Sequence, residues 1–517
     1  MSPIAIAVVL VYLTGVFLIG VYFSRRQDST TQYFLGGRRL PGWAVAFSLL
    51  ATITGSTTFV GHPGEVFRTH MWAFPLHLML IVVIIPIALF VVPFYRRILK
   101  MSVYGYLERR FGYPARVYGG LAFIFSRIVD MSATFYFVAI AVTMLTGWDI
   151  GLVIVVVGIV TICYTYLGGI TAVVWTDVMQ GIVLIGSGLI LLGYLLLAPD
   201  APPGGLVAAA WRGGKFSWGD WGFSWFQDNV WVFLVLGLLW ALQRYAVDQH
   251  MVQRYLIARS DREAQRAAYV GGTATFAVWV IFWTIGALLW AYYQLPGHEI
   301  SPAVAQDPSR LVPFFVRSEL PAVILGLVVA ALTAAAMSSL DSDMNAVATV
   351  VVEDYFQKLR PDAPDSSALW VGRAVVIVIG SACVVAALQW IGVQSAIGFM
   401  FDLISVASAG VLGLFLLGIL FERATARGAW VGILAGVLFT AWATFTAVDL
   451  PALGRPLLDL GAYSYGLNTK LIGVFSSLIL LVIGLGASAL LGGARPREER
   501  LTLWRLTPRI EGEREWA

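Results

Sequence analysis

Thirteen apolar blocks run through this 517-residue chain. Each is close to the roughly 20 residues that a helix needs to cross a hydrocarbon core about 30 Å thick. They lie near 4–23, 42–64, 72–95, 117–145, 149–168, 174–197, 228–248, 270–293, 321–350, 369–391, 400–420, 427–447 and 470–491. With 59% hydrophobic and 12% charged residues, the chain has too little polar surface for a soluble globule, and lipid is the solvent that suits it. An all-α polytopic membrane protein with about thirteen transmembrane helices is the expected fold class, because helices satisfy their own backbone in hydrocarbon. The first block lacks a basic leader and a small-residue cleavage site, so it reads as a retained anchor. The loops at 198–227, 295–318 and 448–468 and the tail after 493 are the only sizeable pieces outside the bilayer, and none is long enough for a separate domain.

The 34 Lys and Arg divide unevenly between alternate loops. Those after blocks one, three, seven, nine and eleven, with the tail, hold 25; the opposite loops hold 7, and Arg127 and Arg244 fall in or beside spans. Basic loops stay on the cytoplasmic side, so a cell-membrane protein with the N-terminus outside and the C-terminus inside is expected. The net charge of +4 is then topological, and no basic run is dense enough for nucleic acid. Cys163 and Cys383 both lie in apolar blocks and read as plain core residues.

Ionisable and helix-breaking residues within spans are costly, which makes them informative. Block two carries Ser48, Thr52, Thr54, Gly55, Ser56, Thr57 and Thr58 in one short stretch, a poor continuous helix. A broken helix in lipid needs partners for its freed carbonyls, and a cation is one such partner; Ser and Thr bonding back onto an ordinary helix is the plainer account. Block nine places Ala335, Ser338, Ser339 and Ser342 on one helical face, with Asp341 beside them. Small residues there allow close helix packing, but they also present neutral oxygen ligands to a small cation, and packing alone gives Asp341 no reason. Asp177 stands near the start of an apolar helix, where dipole capping is the simple alternative to a binding role. Arg127 and Asp130, three apart, read as a mutually neutralising pair.

Several stretches together resemble the sodium:solute symporter family: Tyr33-Phe34-Leu35-Gly36-Gly37-Arg38, Ser48 to Gly61, Gly168-Gly169 leading to Trp175-Thr176-Asp177-Val178-Met179-Gln180, Gln253-Arg254, and Ser338-Ser339-Leu340 followed by Asn345. They occur in the family's order and span about 33–420. The resemblance implies a LeuT-type fold with a 5+5 inverted repeat and discontinuous helices. The single transmembrane domain, 1–517, would divide into an extra helix at 1–24, repeats at 42–197 and 228–420, two added helices at 427–491 and a cytoplasmic tail at 493–517. Carried over residue by residue, a first Na+ site would use the carbonyls of Ala51, Thr54 and Ala335 and the hydroxyls of Ser338 and Ser339. Some family members hold a second ion between the acidic residue at Asp177 and hydroxyls matching Ser338, Asp341 and Ser342. An Asp at 341 departs from that pattern, so a second cation, sodium or proton, is expected between the two carboxylates.

The same resemblance puts Thr58, His77, Asp248 and Phe401 at solute-binding positions. A hydrogen-bonded core histidine is an equally good account of His77. These residues largely lack the family's sugar pattern, and the stretches 61–68 and 245–255 look more like the monocarboxylate, vitamin and iodide branch, so the leaning is to a small organic solute, with an anion as one candidate. Sodium-coupled symport by alternating access follows, with sodium ion, solute and lipid as partners and the oligomeric state open. The rivals are a proton-coupled permease of the same fold, a sodium/sugar symporter, and a solute sensor that moves nothing. An intramembrane enzyme is disfavoured: five His residues and no His-Glu-x-x-His run supply no metal triad or nucleophile–base pair.

Overall fold

The computed structural model describes residues 3–24, 29–167, 169–392, 400, 403, 406, 410–448, 455–492 and 501–505. Phe401, Gly168 and most of the tail after 493 lie outside the described residues, as does most of the first half of block eleven. The first three helices are α1 (Pro3–Ser24), α2 (Gly42–Ile53) and α3 (His62–Arg68). Next come α4 (Phe74–Pro86), which runs on to Ile98, α5 (Tyr113–Thr146), α6 (Ile150–Leu167) and α7 (Ile170–Leu196). The second half holds α8 (Val230–Leu242), α9 (Gln249–Ile257), α10 (Asp261–Tyr292), α11 (Ala322–Val350) and α12 (Asp365–Leu388). Closing the chain are α13 (Val411–Leu420), α14 (Ala426–Ala447) and α15 (Ile472–Leu491). Among the described residues the one β-bridge joins Leu40 and Ala258.

Nine of the described helices are long and apolar enough to cross a membrane, and α2 with α3 forms one further span bent by 56°. Shorter apolar helices occur in α1, α6 and α13. Large apolar side chains such as Val82, Phe90, Val378 and Val482 are exposed on outward faces, as lipid contact requires. Cys383 is buried as expected, but Cys163 is exposed on its helix and is not a core residue.

Helix α10 packs against both halves of the bent span. Two glycines permit the approach: a Cβ on Gly271 would stand 2.9 Å from Ala46 O, and one on Gly286 2.6 Å from Pro63 O. Small residues at such crossings let backbones meet where no hydrophobic force drives helices together. Helices α7 and α11 also pack on α2 and on each other, so the bent span is enclosed by α7, α10 and α11. The added helix α1 lies on α11 through Tyr12 and Val16 against Ala330, Ala334 and Met337. A second interruption separates α8 from α9, where a wide turn at Gln243–Val247 gives way to extended backbone at Asp248.

Candidate cation and solute sites

The bend in the α2–α3 span arises where α2 runs out of backbone partners. Thr54 N–H closes the last turn on Leu50 O at 3.0 Å, and pairing resumes only with Thr58 N–H on Gly55 O at 3.0 Å. Gly55 sits at this gap because α11 passes close by: a Cβ there would meet Ser339 Oγ at 2.7 Å. The freed carbonyls accept from α11 instead. Ser338 Oγ donates to Ala51 O at 2.9 Å and to Ala335 O at 3.2 Å; Ser339 Oγ donates to Thr52 O at 3.1 Å and to Ala335 O at 3.3 Å. Ala51, Ala335, Ser338 and Ser339 are thus brought together as expected, with Thr52 O as a neighbour the motif did not name. Thr54 is fully buried just past the helix end, its hydroxyl turned back to Leu50 O at 2.8 Å. Two mobile hydroxyls and several carbonyls make a neutral, hard-oxygen set suited to a small monovalent cation.

One turn further along α11 lies a charged network. Asp177 falls two turns inside α7, not at its start, so capping does not account for it. Its Oδ2 accepts from Ser48 Oγ at 2.5 Å and from Arg254 Nη2 at 3.1 Å. Arg254, wholly buried, also donates to Ser48 Oγ at 2.8 Å and Ser342 Oγ at 2.5 Å. Ser342 in turn meets Asp341 Oδ1 at 3.3 Å and Thr52 Oγ1 at 3.2 Å. Two carboxylates therefore share one guanidinium, and Asp177 Oδ1 and Asp341 Oδ2 are buried without a hydrogen-bond partner. The buried Tyr12 hydroxyl lies near both carboxylates and faces the buried Gln180 side chain. Neither Tyr12 nor Gln180 stood out in the sequence as a polar ligand, although Gln180, three residues after Asp177, shares its helical face.

A cavity of about 700 Å³, its open mouth included, lies on the other side of the break. Thr52, Gly55, Thr57, Thr58 and Ser339 form its floor side, and His62, His77, Trp240 and Trp279 an aromatic wall. His77 Nδ1–H donates to Ala73 O at 3.2 Å while its ring meets Trp279 edge-on at 4.2 Å between centroids, so it is both a satisfied core histidine and a lining group. Arg127, Asp130, Arg244, His250 and Asp343 complete the lining. Arg127 pairs with Asp130 at 2.8 Å as expected, but the pair belongs to a larger cluster facing the cavity. Asp130 also takes Arg244 at 2.7 Å, and Asp248 takes Arg127 at 3.2 Å and Arg244 at 3.3 Å. Asp248, at the interruption between α8 and α9, is thus turned onto the guanidiniums that face the cavity. The i,i+4 spacing of Arg244 and Asp248 and the i,i+3 spacing of Arg127 and Asp130 signal those pairs; Arg127 with Asp248 and Arg244 with Asp130 join residues over a hundred positions apart.

Comparison with known proteins decides what this arrangement serves. The model of the sodium:solute symporter family matches residues 33–209 and 219–436. The chain belongs to that family. It is 31% identical over 486 residues to the sodium/sialic acid symporter NanT of Aliivibrio fischeri, covering 92% of this chain and 90% of that protein. To the sodium-coupled monocarboxylate transporter 1 of Homo sapiens it is 29% identical, covering 87% and 75%. A solved substrate-bound, outward-open Na+-coupled sialic acid symporter superposes with a TM-score of 0.83 at 29% identity, over 96% of this chain and 99% of that one. The protein is therefore a multi-pass, LeuT-type sodium-coupled symporter of a small solute, and not an enzyme.

Proposed function

We propose that sodium binds between the carbonyls of Ala51, Thr54 and Ala335 and the hydroxyls of Ser338 and Ser339, and that the solute binds in the adjoining cavity at Thr58 and His77. The observation that carries this reading is the meeting of Ser338 and Ser339 with the freed carbonyls of α2. Each hydroxyl can turn its proton away and offer a lone pair, so an ion replaces hydrogen bonds already spanning α2 and α11. Ser339 belongs to both the ion set and the cavity lining, and Thr52, whose carbonyl meets Ser339, lines the cavity too, so the two ligands share a wall and each favours the geometry the other needs. Bundle rocking then exposes the pair to the opposite side, where low sodium empties the site.

A second cation fits between Asp177 and Asp341, with Ser342, Tyr12 and Gln180 around it. Arg254 balances one of the two carboxylates, and the oxygens it leaves unpaired are the reason to place an ion there. The two repeats, 42–197 and 228–420, would carry the interruptions at Gly55 and Asp248 at matching positions. Cell-membrane residence with the N-terminus outside and the C-terminus in the cytoplasm completes the reading. Purified protein in liposomes, given labelled sialic acid, monocarboxylates, sugars and amino acids with and without an inward sodium gradient, tests it. Gradient-driven uptake that loses sodium activation when Ser338 and Ser339 are both Ala is expected; unchanged activation in that variant would move the ion elsewhere.

A further inference from the structure

We infer that the solute carries a positively charged nitrogen, received by Asp343 and the aromatic wall of the cavity. This rests on the cavity being the solute site. Among the described residues in and behind its lining, three carboxylates, Asp130, Asp248 and Asp343, face two guanidiniums, Arg127 and Arg244. Both guanidiniums are already committed, Arg127 to all three acids and Arg244 to two. Arg244 keeps one unpaired donor, its buried Nε, but the charge of both guanidiniums is already outnumbered by the three acids, so an anionic group would add to an excess of negative charge.

Asp343 is the acid left over. It is 6% exposed, lines the cavity, and its Oδ1 has no hydrogen-bond partner; Arg127 Nη1 stands 3.5 Å away and His250 Nδ1 3.4 Å. A buried carboxylate that shares its one nearby guanidinium with two other acids is only partly compensated, and a ligand cation relieves that cost. The aromatic part of the same lining already holds one cation: the Arg244 guanidinium lies 5.5 Å over the Trp240 ring, and Trp279 stands beside that ring at 5.7 Å between centroids. Indole faces bind ammonium groups of this kind. Sodium at Ser338 and Ser339 brings one positive charge to the hydroxyl-rich floor, where an anionic end of the same solute is accommodated. A small zwitterion therefore matches the cavity best, its nitrogen at Asp343 and its acid end near Thr57 and Thr58.

Sodium-driven uptake by the full chain in liposomes reads this directly. The probes with a positive nitrogen are the twenty amino acids, glycine betaine and choline; those without are lactate, sialic acid, glucose and 3,3-dimethylbutanoate, which copies the shape of glycine betaine with an uncharged carbon in place of nitrogen. Uptake confined to nitrogen-bearing probes, and weakened at least tenfold in half-saturating concentration by Asp343→Asn with sodium activation unchanged, is the expected result. Arg127 keeps Asp130 and Asp248 in that variant, and sodium-dependent thermal stabilisation verifies its fold. Uptake of the probes without a positive nitrogen, or no uptake of any probe with one, overturns the inference. Thr58→Trp separates the underlying reading: if it leaves uptake of an accepted probe intact, the cavity is not the solute site, whatever the solute's charge.

Discussion

Arg254 touches Ser48, Asp177 and Ser342, which come from three different helices, and no other cation reaches Asp177 in the described network. Removing it strands a buried carboxylate, a loss of about 3–5 kcal/mol in comparable pairs. Arg254→Ala is expected to lower the melting temperature in detergent markedly, and Arg254→Ala with Asp177→Ala to recover much of that loss; equal melting of the two variants would contradict the pairing. Ser338→Ala and Ser339→Ala each remove a neutral ligand and one hydrogen bond to an α2 carbonyl, so each should raise the half-activating sodium concentration by roughly tenfold, about 1.4 kcal/mol, and lower the stability of the sodium-free protein by about 1–3 kcal/mol. Sodium titration of uptake checks this. At this scale residue type drew attention to Ser338, Ser339 and Asp341 amid alanines, while the proposed ligand set as a whole came from the family resemblance. The partners of Arg254 were not legible, because 77 and 206 positions separate it from Asp177 and Ser48, and no local periodicity joins them.

The break between α2 and α3 is set as much by its neighbours as by its own residues. Clustered Ser, Thr and Gly announced a weak helix, yet they did not say that the helix would persist through Ile53 and fail only at Thr54 and Gly55. That boundary follows from the closeness of α11, which leaves no room for a side chain at 55. Gly55→Ala should push Ser339 away from Thr52 and Ala335 and weaken sodium activation about as much as losing the hydroxyl, while Ser56→Ala, on the far side and bonded to Thr134 O, should not. Sodium titration of the two variants side by side distinguishes them. Similarly, Gly271→Val drives a methyl-bearing carbon into Ala46 O and should cost about 1–3 kcal/mol of stability, read as a lower melting temperature. The interruption at Asp248 gave no such notice, since its turn is made of residues that are ordinary in helices.

For the molecule as a whole, the number of coupled cations sets the work available. Each charge moved inward contributes about 2.3 kcal/mol per 100 mV, so a second cation multiplies the attainable accumulation of solute by roughly fifty. Flux ratios of sodium to solute are expected to fall when Asp177 or Asp341 is replaced by Ala, and a ratio of one in the unaltered protein would remove the second ion from the scheme. The polytopic helical plan could be read from block length and the uneven spread of basic residues, because the bilayer imposes both. Which helices enclose the bent span could not, since most blocks are apolar on all sides and lipid gives them no preferred neighbour. The hydrogen bonds of Ser338 and Ser339 to the α2 carbonyls bear on the half of the cycle in which nothing is carried. A transporter that relied on its ion to hold two moving parts in register would drift apart whenever it came back empty. Here the parts remain fastened by bonds of their own, so the unladen return can proceed as one motion, and the ion on arrival substitutes for a fastening that is already made.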